Sequence, residues 1–154
     1  MLNTDPFGKV SYLTSGLFIF LHQNLNAMII LVVDDDAEDI ELFCEAVNEI
    51  DPGISCVEAY NGVDALKILQ RDSLLPDFIF LDINMPFMNG QKCLAELKRN
   101  EVFVEIPVIM YSTTTDQKQI DDCKKLGASF LTKPNSYAEL VTALRDIMAE
   151  KIAK

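Results

Sequence analysis

Three short, wholly apolar runs constrain this chain most: IILVV at 29–33, FIFL at 78–81 and VIMY at 108–111. Each has the length of a strand and falls short of a buried helix, and none alternates with polar residues. Such strands are covered on both faces, the condition of a parallel sheet packed between helices. The segments between them carry the other period. Asp36–Ile50 repeats apolar positions at Ile40, Phe43, Val47 and Ile50 and stops at Asp51-Pro52-Gly53. Val63–Leu69, Gln91–Arg99 and Asp116–Leu126 read as helices, the last closed by Gly127. Ile54–Ala59 is a more polar strand and therefore an edge; Asn61-Gly62 reads as a turn. Ser129–Thr132 is a short strand, and Ser136–Ile152 a long helix with Leu140, Val141, Leu144, Ile147 and Met148 facing inward.

The alternation makes five strand–helix units, an α/β, doubly wound five-stranded parallel sheet with five helices, occupying 28–152 as one domain. The last helix nearly exhausts the chain, so no second domain is expected. Residues 1–27 read differently. Tyr12–Leu21 is apolar but too short to span a bilayer, and the match to a signal peptide is weak, with a single preceding lysine, Lys9, before the run and no A-x-A site. The segment is read as a loosely ordered extension or as the product of an upstream start before Met28, with a docked Leu17–Leu21 run as the alternative.

Charge narrows the partners. Asp and Glu number 24 against 13 Lys and Arg, a net charge of −11. Nucleic acid and anionic membranes both attract Lys and Arg, so neither is an expected partner. The 4 cysteines form no CxxC pair and the single histidine, His22, lies outside any cluster, which leaves zinc without ligands. Four reduced, mostly buried thiols in a cytoplasmic protein are expected.

In an open sheet of this kind the site lies beyond the carboxyl ends of the strands. Asp34-Asp35-Asp36 follow the first strand, Asp82 the third, Ser112 to Thr115 the fourth, and Lys133-Pro134 the fifth. Each has a plainer reading: acids at a helix start, a turn aspartate, a helix cap, a solvated loop lysine. Together they deliver carboxylates, hydroxyls and one ammonium to a single rim. Crowded carboxylates repel unless a cation sits among them, and hard oxygens with water suit Mg²⁺. A carboxylate beside Mg²⁺ can attack phosphorus and form an aspartyl phosphate.

ILVVDDD at 30–36, FLDINMPFMNG at 80–90, PVIMYSTT at 107–114 and LGASFLTKP at 126–134 closely resemble the receiver domain of two-component response regulators. The resemblance implies the flavodoxin-like strand order 2-1-3-4-5. It implies Asp82 as phosphoacceptor and Asp34 and Asp35 as the acidic pair for Mg²⁺, with Asp35 the more direct ligand. Asn84 would lend its backbone carbonyl to the metal, Ser112 its hydroxyl to the phosphoryl group, and Lys133 its ammonium. The family makes the Lys133–Pro134 bond cis and places a switch aromatic at Phe130. Phe130 is a departure from the commoner Tyr, and Asn100–Ile106 is longer than in minimal receivers.

The implied function is a stand-alone, phosphorylation-driven switch without a DNA-binding output domain. It would take its phosphoryl group from a histidine kinase or histidine phosphotransfer protein, and catalyse only its own phosphorylation and dephosphorylation. Its signal would leave through residues 116–152, to a downstream protein or a second copy. A phosphorylation-independent, degenerate receiver is the alternative, against which the intact Asp34, Asp35, Asp82 and Lys133 argue. A haloacid-dehalogenase-like phosphohydrolase is a more distant one: that family wants a second Asp where Asn84 stands.

Overall fold

The computed structural model describes residues 3–4, 10–11, 27–72 and 75–152. Five parallel strands, β1 (Ile29–Val33), β2 (Ser55–Ala59), β3 (Phe78–Leu81), β4 (Val108–Ser112) and β5 (Ser129–Thr132), form one sheet in the order 2-1-3-4-5. The helices are α1 (Ala37–Ile50), α2 (Gly62–Arg71), α3 (Gly90–Arg99), α4 (Gln117–Lys125) and α5 (Tyr137–Ile152). Before β1, Asn3–Thr4 pairs antiparallel with Val10–Ser11. The rest of the N-terminal segment, including the Leu17–Leu21 run, lies outside the described residues.

Because side chains alternate along a strand, the apolar runs serve two cores at once. Leu31, Val33, Ile79, Leu81, Val108 and Met110 meet Ala65 and Leu69 of α2, Leu94 and Leu97 of α3 and Cys123 of α4. Ile30, Val32, Phe78, Phe80, Ile109 and Tyr111 point the other way, against Ile40, Phe43 and Val47 of α1 and Leu140, Leu144 and Met148 of α5. All of β1, β3 and β4 is buried, whereas β2 and β5 are the partly exposed edges. Phe103 and Ile106 of the long Asn100–Ile106 segment tuck under the first core, and Lys98 Nζ donates to the Val104 and Ile106 carbonyls at 2.9 and 3.3 Å.

Two sequence expectations change. Asn61-Gly62 is a helix start: Asn61 Oδ1 accepts from Asp64 N–H at 2.9 Å, capping α2, and Gly62 is its first residue. A turn dipeptide and a cap–glycine pair look alike in one sequence. The thiols also differ from expectation: Cys44 of α1 and Cys56 of β2 form a disulfide, with Cα atoms 5.9 Å apart, while Cys93 and Cys123 are free and buried. The bridge joins a helix to the adjoining edge strand, a pairing that spacing does not reveal. Closing its 12-residue separation is worth about 3 kcal/mol in chain entropy. Among the described residues no helix is long and apolar enough to cross a membrane.

Candidate functional site

The sheet ladder runs one step past the strands and fixes the backbone of the site. Asp34 N–H donates to Ala59 C=O at 3.1 Å, Asp82 N–H to Val33 C=O at 2.9 Å, and Lys133 N–H to Ser112 C=O at 3.0 Å. Three of the expected residues are therefore set by register, with their side chains converging above the central strands. Asp34, Asp82 and Ser112 are the buried polar residues of the described chain, at 1%, 7% and 0% exposure.

One carboxylate oxygen each of Asp34, Asp35 and Asp82 lies within 4.8 Å of the other two. Asp34 Oδ1 accepts from Asp36 N–H at 2.9 Å, and its Oδ2 from Lys133 Nζ at 2.6 Å. Asp82 Oδ1 accepts from Ile83 N–H at 2.8 Å, and its Oδ2 lies 3.9 Å from Lys133 Nζ. Asp35 is exposed and completes the cluster from the solvent side. The donor set is all hard oxygen, two carboxylates buried and one open to solvent, as a divalent cation that keeps part of its water requires. Asn84 is exposed in the loop after β3, two residues beyond Asp82.

Burial raises the pKa of both Asp34 and Asp82 above the ordinary carboxylate value. Lys133 pulls both back, helped at Asp82 by the Ser112 hydroxyl, while the Asp35 charge pushes Asp82 further up. Burial opposes the charge on Lys133 too, but hydrogen bonds to Asp34 and Asp39 outweigh it and hold the ammonium above the usual lysine range. Ser112 Oγ accepts from Thr114 N–H at 3.3 Å.

Two further participants, Asp39 and Tyr111, are brought to the site by the fold. Asp39, in the first turn of α1, has its Oδ2 2.7 Å from Lys133 Nζ. The helical period after Asp36 could have found it, since Asp39 rises one turn above the acidic loop. Tyr111 lies with its ring centroid 5.4 Å from the same ammonium, and burial pushes its hydroxyl pKa up to about 12. Phe130 is half-buried and packs on the core beneath α4.

One implied feature is corrected. All peptide bonds among the described residues are trans, Lys133–Pro134 included. Trans is the favoured form of an X–Pro bond by about 0.5–1 kcal/mol. It suffices here because the register bond to Ser112 already aims Lys133 at the carboxylates.

Comparison with known proteins gives the family and the fold. Residues 30–145 match the response regulator receiver domain. The chain is 38% identical over 132 residues to a protein-glutamate methylesterase/protein-glutamine glutaminase of Treponema pallidum, covering 82% of this chain and 32% of that protein. It is 33% identical over 120 residues to the phosphate regulon transcriptional regulatory protein PhoB of Pseudomonas aeruginosa, covering 77% of this chain and 51% of that one. The chain thus spans about a third to a half of these relatives' length. Among solved structures it resembles the phosphorylated cyanobacterial phytochrome response regulator RcpA, with TM-score 0.73 and 28% identity over 79% of this chain and 91% of that one. It also resembles the chemotaxis protein CheY4 of Vibrio cholerae, with TM-score 0.67 and 26% identity over 78% of this chain and 98% of that one. With the matched segment running through the five-stranded sheet and the acidic rim, the chain belongs to the response regulator receiver domain family of two-component signalling.

Proposed function

We propose that this chain is a phosphorylation-activated signalling switch whose phosphoacceptor is Asp82. One observation carries the reading: the strand-end aspartate Asp82 shares a cluster with two further carboxylates, Asp34 and Asp35, their oxygens within 4.8 Å of one another, and a single lysine approaches it to 3.9 Å. An unbalanced cluster of that kind calls for a cation and an incoming phosphoryl group, not for a structural role.

Asp34, Asp35 and Asp82, with the Asn84 carbonyl, are the residues that would hold Mg²⁺. Both Asp34 oxygens already accept hydrogen bonds, which favours Asp35 and Asp82 as the direct ligands. When bound, the metal supplies charge neutralisation at the phosphoryl oxygens. The protein's own part follows from its donors. An Asp82 carboxylate oxygen attacks phosphorus; a P–O bond forms as the P–N bond of the donor imidazole breaks, and the imidazole regains a proton from solvent. Ile83 N–H holds the other oxygen and keeps the attacking one aimed outward. Lys133 offers its charge to the equatorial oxygens, and Ser112, which already accepts from Thr114 N–H, offers its hydroxyl proton.

The donor is a histidine kinase or a histidine phosphotransfer protein, and we place the reaction in the cytoplasm. The acyl phosphate carries about two negative charges where the Asp82 carboxylate carried one. Ser112 then draws the 113–115 loop inward, Phe130 turns into the space behind it, and the face of α4, β5 and α5 changes shape. A downstream protein or a second copy of the chain binds that face, within residues 116–152, according to its affinity for the two states. The chain thereby catalyses its own phosphorylation and dephosphorylation and no other reaction.

The test is direct. Incubation with phosphoramidate and Mg²⁺ should add one acyl phosphate at Asp82, located by mass, and Asp82→Asn should remove it. Labelling elsewhere, or undiminished labelling of the variant, rejects the assignment.

A further inference from the structure

The loop from Asp82 to α3 carries an apolar side chain that the chemistry above does not use. Phe87 is 89% exposed, the most exposed large apolar residue of the described chain. It also has φ of +63°, the one non-glycine residue among those described with a positive φ. Met88 N–H donates to Pro86 C=O at 2.7 Å, so Phe87 is the centre of a tight three-residue turn. Turns of that hand are rare and strained, and an aromatic side chain is a poor occupant of the left-handed region.

The loop on either side is rigid. Ile83 and Met85 are buried, and Gly90 N–H donates to Ile83 C=O at 2.8 Å. A side chain at Gly90 would come within 1.9 Å of the Asp82 carbonyl, so the loop is pressed against the phosphoacceptor's own backbone. On the outer side it abuts α2, where a side chain at Gly62 would meet the Met88 carbonyl at 3.0 Å. Tyr60, two residues before Gly62 on the same rim, is 46% exposed. The molecule therefore holds a phenylalanine out in water, on a strained but fixed turn, five residues from Asp82. Strain and wetted apolar surface of this kind persist where something outside the chain uses them.

Geometry selects the user. Asp82 is 7% exposed and opens only on the rim. An imidazole borne on a helix about 10–12 Å across cannot reach it without laying that helix over the neighbouring loops. Small phosphodonors meet no such requirement. The acidic rim steers a partner by charge but fixes no register, whereas one buried aromatic ring does. Building on the assignment of Asp82 as phosphoacceptor, we propose that Phe87 is the docking anchor for a phosphohistidine-bearing protein, its ring seated in an apolar pocket beside the donor histidine.

The experiment uses the full chain, Phe87→Gly and Phe87→Leu, with two donors. One is phosphoramidate with Mg²⁺. The other is a phosphorylated histidine phosphotransfer domain, chosen from a purified panel as the fastest donor to the unaltered chain. Phosphoramidate should label all three proteins at equal rates. With the protein donor, Phe87→Gly should raise KM about thirtyfold, the size of a hot-spot truncation, with the saturating rate unchanged. Phe87→Leu should recover most of that loss. Glycine also relieves the positive φ, so a melting temperature at or above that of the parent excludes misfolding as the cause. An unchanged KM, or an equal loss with both donors, overturns the anchor. So does a panel in which no histidine donor serves a chain that phosphoramidate labels. Failure of phosphoramidate to label Asp82 in the unaltered chain would instead overturn the phosphoacceptor assignment itself.

Discussion

The two ends of the sheet each hold a lysine beside an aspartate and near an aromatic ring, and their charge balance sets them apart. At the amino end Lys151 Nζ lies 3.1 Å from Asp77 Oδ1, donates to the Asp77 carbonyl at 3.0 Å and sits 5.2 Å from the Phe78 ring centroid. Asp77 Oδ2 accepts from Ile29 N–H at 2.8 Å. One cation meets one anion, each about a third exposed, and the arrangement ties the end of α5 to the start of β1 and β3. At the carboxyl end Lys133 lies 2.6, 2.7 and 3.9 Å from the carboxylates of Asp34, Asp39 and Asp82, with its side chain 11% exposed. Asp35 adds a further negative charge to that cluster. A balanced pair closes a fold; an unbalanced, buried cluster costs stability and is kept for chemistry.

The sharpest test of this contrast is to remove the lysine at the crowded end. Lys133→Met should lose about 3 kcal/mol at neutral pH, because it strands two buried carboxylates. The loss should shrink on acidification. Without Lys133 the folded pKa values of Asp34 and Asp82 rise further above their unfolded ones, so the folded state binds more protons and stability falls as pH rises through that window. Urea melts across the acid range would show it. A loss independent of pH would break the contrast.

Divalent cation should repair the imbalance from the other direction. Mg²⁺ at about a hundredfold over its Kd should stabilise the chain by about 2.7 kcal/mol, and EDTA should reverse the gain. Asp35→Ala should remove most of it, and changes at the amino end none. Equal stabilisation of both variants would place the metal elsewhere.

The sequence reading anticipated both ends unequally, for physical reasons. The apolar runs of β1, β3 and β4 are buried on both faces, so composition alone marks them, and their ends then mark Asp34, Asp82 and Ser112. The reading placed each of the five helices within about two residues at each end. Asp39, Tyr111 and the Asp77–Lys151 pair were missed because they act through contacts between elements far apart in the chain. The Cys44–Cys56 bridge was missed for the same reason. Phe87 stands inside the FLDINMPFMNG motif, yet neither its backbone angle nor its exposure is written in residue types.

A smaller effect of opposite sign belongs to the phosphoacceptor. Asp82→Asn should stabilise the fold by about 1 kcal/mol, an ordinary size for relieving a functional site. Burial holds the folded pKa of Asp82 above the ordinary value that the unfolded chain retains. Between those values the folded state carries the extra proton, so stability is present at lower pH and lost as pH rises through the folded pKa. Asparagine removes that loss, and Lys133 keeps Asp34 and Asp39 as partners. The gain should appear at neutral pH and vanish at the acid side of the window. A destabilised variant would mean that the carboxylate is needed to hold the rim together.

The smallest effect is expected at the balanced end. Lys151→Met should cost about 0–1 kcal/mol, the range for an ion pair that solvent reaches. Asp77 keeps its hydrogen bond from Ile29 N–H when the lysine is gone, so no buried acceptor is orphaned. The methionine can still cover the Phe78 ring, retaining the apolar part of the contact. What remains is a partly exposed charge pair, and salt should erase it: at 1 M the screening length is about 3 Å, comparable to the pair's own separation. Melts of parent and variant should therefore converge in high salt, whereas those of Lys133→Met should not, because buried carboxylates are screened much less than exposed ones. A loss at Lys151 above about 2 kcal/mol that persists in salt would put a desolvated charge at the amino end as well, and the two ends would no longer differ in kind.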